Sequence, residues 1–169
     1  MHPQQSPSQA TQAYVTSVAA RLAADECQTW WEDWGGVPVL VGRRADFRLR
    51  WMAKMHLFTV VVAVPEITMP TIGTFTFQAM EYAKRVKGGL PAGLQTGICL
   101  FPVLVSDRVD PAAVQWAEGQ ARHEWGITAR PVVVDSARQY VGLCRRKGFV
   151  GRAYASHMLK KGGLYLDGR

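Results

Sequence analysis

This sequence carries none of the short signatures that announce a reaction. It has no G-x-x-x-x-G-K-[ST], which removes a P-loop, and no G-x-G-x-x-G opening a helix after a strand. H-E-x-x-H and G-x-S-x-G are missing too, so the common metalloprotease and hydrolase elbows fail. The four histidines, His2, His56, His123 and His157, are scattered, and no C-x-x-C pair exists. A zinc site would therefore need distant segments to converge. The three cysteines, Cys27, Cys99 and Cys144, are odd in number and far apart. They read as free thiols in a reducing compartment. The opening MHPQQSPSQATQ lacks a basic region followed by an apolar core. The longest apolar run, Leu57 to Pro65, is interrupted by Thr59 and falls well short of the ~20 residues that cross a bilayer. No cofactor, no metal, no membrane insertion and a cytoplasmic location are the resulting expectations.

Acidic residues are the other scarcity. Residues 1–75 balance six basic against six acidic side chains, whereas residues 76–169 hold fourteen against seven, so the whole net charge of +7 arises there. From Ser136 to Leu166 there are Arg138, Arg145, Arg146, Lys147, Arg152, Lys160 and Lys161, without one Asp or Glu. Such a stretch repels itself unless it meets an anion, which points to an acidic partner. Arg outnumbers Lys fourteen to six, which fits GC-rich coding and anion recognition equally.

What is present reads as one globular α/β domain. At 169 residues and 48% hydrophobic content the chain can bury a core. The expected boundaries are a flexible N-terminus at 1–7, a single domain over 8–164 and a C-terminal tail at 165–169. Ser6-Pro7-Ser8-Gln9 looks like a helix start, with Ser6 capping and Pro7 at the first helical position. A 3.6-spaced stripe (Val15, Val18, Leu22, Cys27, Trp30, Trp34) predicts a long helix stopped by Gly35-Gly36. Strands follow at Val37–Val41, at Phe47–Trp51 by period-2 alternation, and at Leu57–Val64 by continuous apolar character. A two-proline loop over residues 65–74 leads to a helix from Phe75 to Lys87, with Glu81 and Arg85 as an i,i+4 pair. Ile98–Val105 predicts a strand kinked or bulged at Pro102. Asp110-Pro111 starts a helix. Val132–Val134 and Tyr140–Cys144 form a late hairpin, and a last helix spans Phe149–Lys161, ending at Gly162-Gly163. The predicted order is α-β-β-β-α-β-α-β-β-α, a single mixed sheet flanked by helices.

Two segments are candidates for anion binding. The run Lys84-Arg85-Val86-Lys87 leads into Gly88-Gly89-Leu90-Pro91-Ala92-Gly93, where exposed backbone N–H groups beside cations suit a phosphate. A basic helix C-terminus explains the same residues. In the last helix, Val150, Tyr154 and Met158 share an inward face, while Arg152, Ser156 and Lys160 share another. Arg145, Arg146 and Lys147 precede it, with Phe149 and Tyr140 as stacking surface. The third feature, Trp30-Trp31-Glu32-Asp33-Trp34, suits an interface hot spot or core packing at a helix end.

The opening helix–three strands–helix–strand order, over residues 8–106, resembles the restriction-endonuclease-like (PD-(D/E)XK) superfamily. That resemblance implies a metal site built from an acid on one strand and E-x-K on the next. Asp46 stands where the first acid belongs, Glu32 would be an earlier acidic ligand, and Glu66 follows the next strand. That strand, His56 to Val64, contains neither Glu nor Lys. Asp46 also alternates with Arg48 and Arg50, as in a surface ion pair. Three functions follow. The first is a non-catalytic binding module whose basic C-terminal face (Arg145, Arg146, Lys147, Arg152 and Lys160, with Lys84 and Lys87) engages nucleic acid or another polyanion such as an acidic protein surface. The second is an adaptor that assembles with itself or a larger protein through the tryptophans and exposed strand edges. The third is a metal-dependent nuclease with a migrated site at Asp46 with Glu32 or Glu66.

Overall fold

Ser8, not Ser6, begins the first helix. In the computed structural model, which describes residues 6–48, 53–89, 96–147 and 152–167 (backbone alone at 47, 48, 53, 152 and 153), α1 spans Gln9–Ala24. The Ser8 hydroxyl accepts from Thr11 N–H at 3.3 Å and satisfies one orphan donor of the first turn. Thr11, Val15, Val18 and Leu22 form its buried stripe.

The helix stops ten residues before the glycine pair. Glu26 takes a left-handed φ of 60°, its N–H bonds Ala23 O at 3.1 Å, and Cys27 N–H bonds Leu22 O at 3.0 Å. These reversed bonds close a helix. The tryptophan segment is strand β1, Gln28–Asp33. A spacing of four puts Trp30 and Trp34 on one face in a helix or a strand, so the stripe misled; aromatic and β-branched content favours the strand. Gly35 (φ 68°) and Gly36 (φ 89°) make the turn into β2, Pro38–Arg48, which runs from the expected strand at Val37–Val41 into the start of the one at Phe47–Trp51, whose residues 49–51 lie outside the described residues. β3, Ala53–Ala63, completes an antiparallel meander.

Thr68 caps α2, Met69–Lys87, with Pro70 in its first turn, so the expected two-proline loop is half helix. β4, Thr96–Ser106, then runs parallel to β3. Its register with β3 is unbroken from Thr96 to Val105, with no bulge at Pro102. Ile98 N bonds Gly126 O (2.9 Å) and Leu100 O accepts from Arg130 N (2.8 Å), so even-numbered residues turn their backbone polar groups away from β3. Pro102 shares that parity. It falls between the stretch paired to β6 (98–100) and the stretch paired to β7 (103–106), where no donor is needed.

Asp110 caps α3, Pro111–Gly119, as expected. A small hairpin that sequence patterning missed follows: β5, Arg122–Glu124, and β6, Ile127–Ala129, turned by Gly126 at φ 72°. β7, Val132–Asp135, and β8, Tyr140–Gly142, form the anticipated late hairpin. α4, Arg152–Gly162, continues into a π-helical turn, Gly163–Asp167.

The result is one mixed sheet of eight strands, ordered β1-β2-β3-β4-β6-β5, with β7 on β4 and β8 on β7. α2 and α3 cover one face over Phe58, Val60, Ile98 and Leu100. α1, α4 and the π turn cover the other over Leu40, Phe101, Val103 and Val132. Tyr165 and Leu166, expected in a C-terminal tail, are buried in that second layer. Gly162 is a packing glycine: a Cβ there would lie 2.8 Å from Phe101 Cζ. Among the described residues no helix is long and apolar enough to cross a membrane.

Candidate functional site

Strand register tests the acidic trio. Asp46 faces Met55, and the next residue in phase on β3 is Leu57. Both are buried apolar side chains, standing where the resemblance calls for an acid and a lysine. Asp46 itself accepts from Arg44 Nε at 3.0 Å and pairs with His157 Nε2 at 3.1 Å. The expected pairing of Asp46 with Arg48 and Arg50 falls on side chains that lie outside the described residues.

Arg44 reaches on to Asp25 at 3.2 Å, and Asp25 also takes Lys161 Nζ and Tyr165 OH, each at 2.5 Å. Cys27 Sγ lies 3.4 Å from Tyr165 OH. Burial pushes both carboxyl groups up. Arg44 and His157 at Asp46, and Lys161, Tyr165 and Arg44 at Asp25, outweigh it and hold both below the usual carboxylate range. Burial, then the bonds to Asp25 and Cys27, keep the Tyr165 phenol protonated, and burial raises the Cys27 thiol. Each carboxylate in this network meets at least one cation. It fastens α4 and the π turn to α1 and β2.

Glu32 on β1 is similarly occupied. It accepts from Tyr82 OH, from Trp30 Nε1 at 2.9 Å and from Trp34 Nε1 at 3.4 Å. The Tyr82 bond, opposed by burial and reinforced by the indoles, holds its pKa down. Glu32 stands opposite Val39, seven residues along β2 from Asp46, about 23 Å at strand rise. Glu66 is exposed beyond the end of β3, 3.7 Å from Arg108. The three carboxylates do not converge. No group of three or more His, Cys, Asp or Glu suited to a metal occurs among the described residues.

The cations of the expected basic face meet different partners. Lys84 is held by Glu81 at 2.7 Å and Glu124 at 2.5 Å, so Glu81 takes Lys84 and not Arg85. Lys87 is buried and bonds Gly88 O at 3.0 Å. Leu90–Gly93 lie outside the described residues. Arg145 makes a two-point contact with Asp167 at 3.0 and 3.3 Å. Arg146 turns the other way and bonds Gly119 O, at the end of α3, at 2.7 Å. Lys147 and Lys160 are exposed. Lys161, in the last turn of α4, bridges to Asp25. The Arg152 side chain, Phe149 and Val150 fall outside the described residues; Met158 is buried as expected, Tyr154 half-buried, and Tyr140 OH bonds Glu118.

Two basic features escaped sequence reasoning. Arg130 is 2% exposed and donates to Cys144 O and to Arg146 O (3.0 Å), pinning the segment that carries Arg145–Lys147. A lone Arg inside the apolar stretch Ile127–Val134 was its only signal. Arg43 bonds Val86 O (3.3 Å), Lys87 O (3.1 Å) and His56 Nδ1 (3.2 Å), closing the end of α2. Burial, then Arg43, Lys54 and Lys87, push His56 down to about 4.

At the carboxyl ends of β3, β4 and β7, where open α/β sheets usually bind ligands, a cleft of about 490 Å³ is lined by Glu66, Asp107, Arg108, Asp110, Asp135 and Arg138. Its polar groups are largely committed: Asp110 caps α3, and Asp135 holds Ala137 N and Arg138. No family model matches this chain, and no curated protein matches its sequence.

Proposed function

We propose that the protein is a non-catalytic binding module that engages nucleic acid or another polyanion. One observation carries the reading. Arg146, Lys147 and Lys160 are exposed and, among the described residues, meet no carboxylate, while Arg145 shares Asp167 in an exposed pair. Arg130 bonds the backbone of residues 144 and 146 from below and so holds the segment that carries Arg145, Arg146 and Lys147. The committed carboxylates Asp46 and Glu32 support binding over metal-assisted hydrolysis.

Fluorescence anisotropy of labelled DNA and RNA between about 50 and 200 mM salt tests this. Affinity should fall steeply with salt. The combined variant Arg146→Ala, Lys147→Ala, Lys160→Ala should flatten the log–log slope by about 0.9 for each phosphate that is no longer neutralised. No binding at the lowest salt, or an unchanged slope in the variant, defeats the reading. Binding of polyglutamate but not of nucleic acid would assign the same cations to an acidic protein surface.

A further inference from the structure

β1 is an end strand of the sheet, paired with β2 alone among the described residues. Trp34 N bonds Val37 O across the hairpin at 2.9 Å. Backbone polar groups alternate sides along a strand, so Thr29, Trp31 and Asp33 turn theirs outward, away from β2. Proteins blunt such edges with Lys, Pro, bulges or shortness. β5 and β8 have three residues each. β1 has six, keeps an unbroken register, and contains no Lys or Pro. Glu32 is drawn to the indoles and Tyr82, and the exposed Asp33 turns Oδ1 to Gly36 N of the hairpin turn at 2.6 Å. Trp31, opposite Leu40, is 57% exposed.

We propose that β1 pairs antiparallel with β1 of a second copy about a two-fold axis at Trp31, continuing the sheet through both molecules. The self-complementarity of the edge argues for this occupant. A two-fold perpendicular to the sheet keeps each face on its own side, so partners must share parity. Centred on Trp31, it sets Trp31 opposite Trp31, Thr29 opposite Asp33 and Trp30 opposite Glu32. All three outward residues then exchange main-chain bonds, about six in total. No like charges face one another, whereas a shift of the axis by one residue to Glu32 opposes two carboxylates. β1 also lies at the far end of the sheet from β5, so pairing at β1 leaves the β5 edge outermost in both copies.

Light scattering behind size exclusion over a wide concentration range reads the outcome. Wild type should dimerise. Trp31→Lys, which opposes two cations, should raise the dimer Kd at least about tenfold while leaving the circular dichroism unchanged. Because opposed residues in a bonded antiparallel pair have Cα atoms about 5.5 Å apart, within disulfide reach, Trp31→Cys should give a reducible covalent dimer on mild oxidation. Gln28→Cys should not. A wild type that stays monomeric throughout, or a folded Trp31→Lys that dimerises as tightly as wild type, overturns the proposal.

Discussion

His157 Nε2 stands 3.1 Å from Asp46 Oδ2, joining the C-terminal helix to β2 across 111 residues of chain. Arg44 bonds Asp46 and reaches Asp25, and Asp25 takes Lys161 and Tyr165, so one run of polar contacts closes the layer formed by α1, α4 and the π turn. The carboxylate that the superfamily resemblance would assign to a metal is here a structural acceptor.

That arrangement predicts acid sensitivity. Asp25 and Asp46 both titrate below their unfolded values in the folded protein. Their contribution is therefore complete above the unfolded value of about 3.9 and disappears as pH falls through the lower folded value. Asp46→Asn should cost about 1–3 kcal/mol at pH 7, and much less in strong acid where the wild-type carboxylate is itself protonated. Urea unfolding at both conditions decides it. An equal loss at the two pH values would show that the charge of Asp46 is irrelevant.

His56 supplies a second and separate pH dependence. Its folded value lies near 4, against an ordinary value near 6.5. As pH falls between these, the unfolded chain takes up a proton that the native state refuses, so stability declines by up to about 1.4 kcal/mol per pH unit. Full stability from this group is present above its unfolded value. His56→Gln should flatten the melting temperature profile from about pH 6.5 to 4. An unaltered profile rules the mechanism out.

Gly162→Ala should destabilise despite the better helix propensity of alanine. The new methyl would meet Phe101 Cζ at 2.8 Å and Cε1 at 3.2 Å, and Phe101 is fully buried. Overpacking of this kind costs about 1–3 kcal/mol. A gain in stability on chemical denaturation would mean that α4 shifts freely over the sheet.

Arg130→Met should loosen the chain from Cys144 to Lys147. The substitution keeps an unbranched apolar stem, is shorter, and removes the donors to Cys144 O and Arg146 O. We expect a loss of about 1–3 kcal/mol and faster amide exchange in that segment, with little change in the β1–β3 meander. Uniform acceleration over the whole sheet would instead mark Arg130 as a general core residue.

Where a segment's own pattern decided its state, sequence reading succeeded. The Asp110-Pro111 start, the apolar strand within Ala53–Ala63 and the late hairpin at Val132–Gly142 stand as expected. The three-strand opening matches in number only: the tryptophan segment became β1, and β2 runs from the first anticipated strand into the start of the second. A four-residue repeat cannot separate helix from strand, and the left-handed Glu26 that ends α1 is not the Gly usually found there. Of the candidate site residues, the basic ones were legible as a surplus and illegible as a surface. Whether Arg145 meets Asp167, or Lys161 meets Asp25, depends on contacts between residues 22 and 136 positions apart.

By itself, then, the sequence determined the class of architecture, a mixed sheet between helices, because hydrophobic periodicity and turn residues act within a few positions. It also determined the imbalance of charge. Only the tertiary structure decided what each charge does. Packing α4 onto α1 and β2 joined Asp25, Asp46, His157 and Lys161 into a clamp. Burying Arg130 under the segment 143–147 left Arg146 and Lys147 at the surface. Folding the tryptophan segment as an end strand turned it from an expected helix terminus into an open edge. These outcomes rest on through-space contacts and on loss of solvent, neither of which is written in any local stretch of chain.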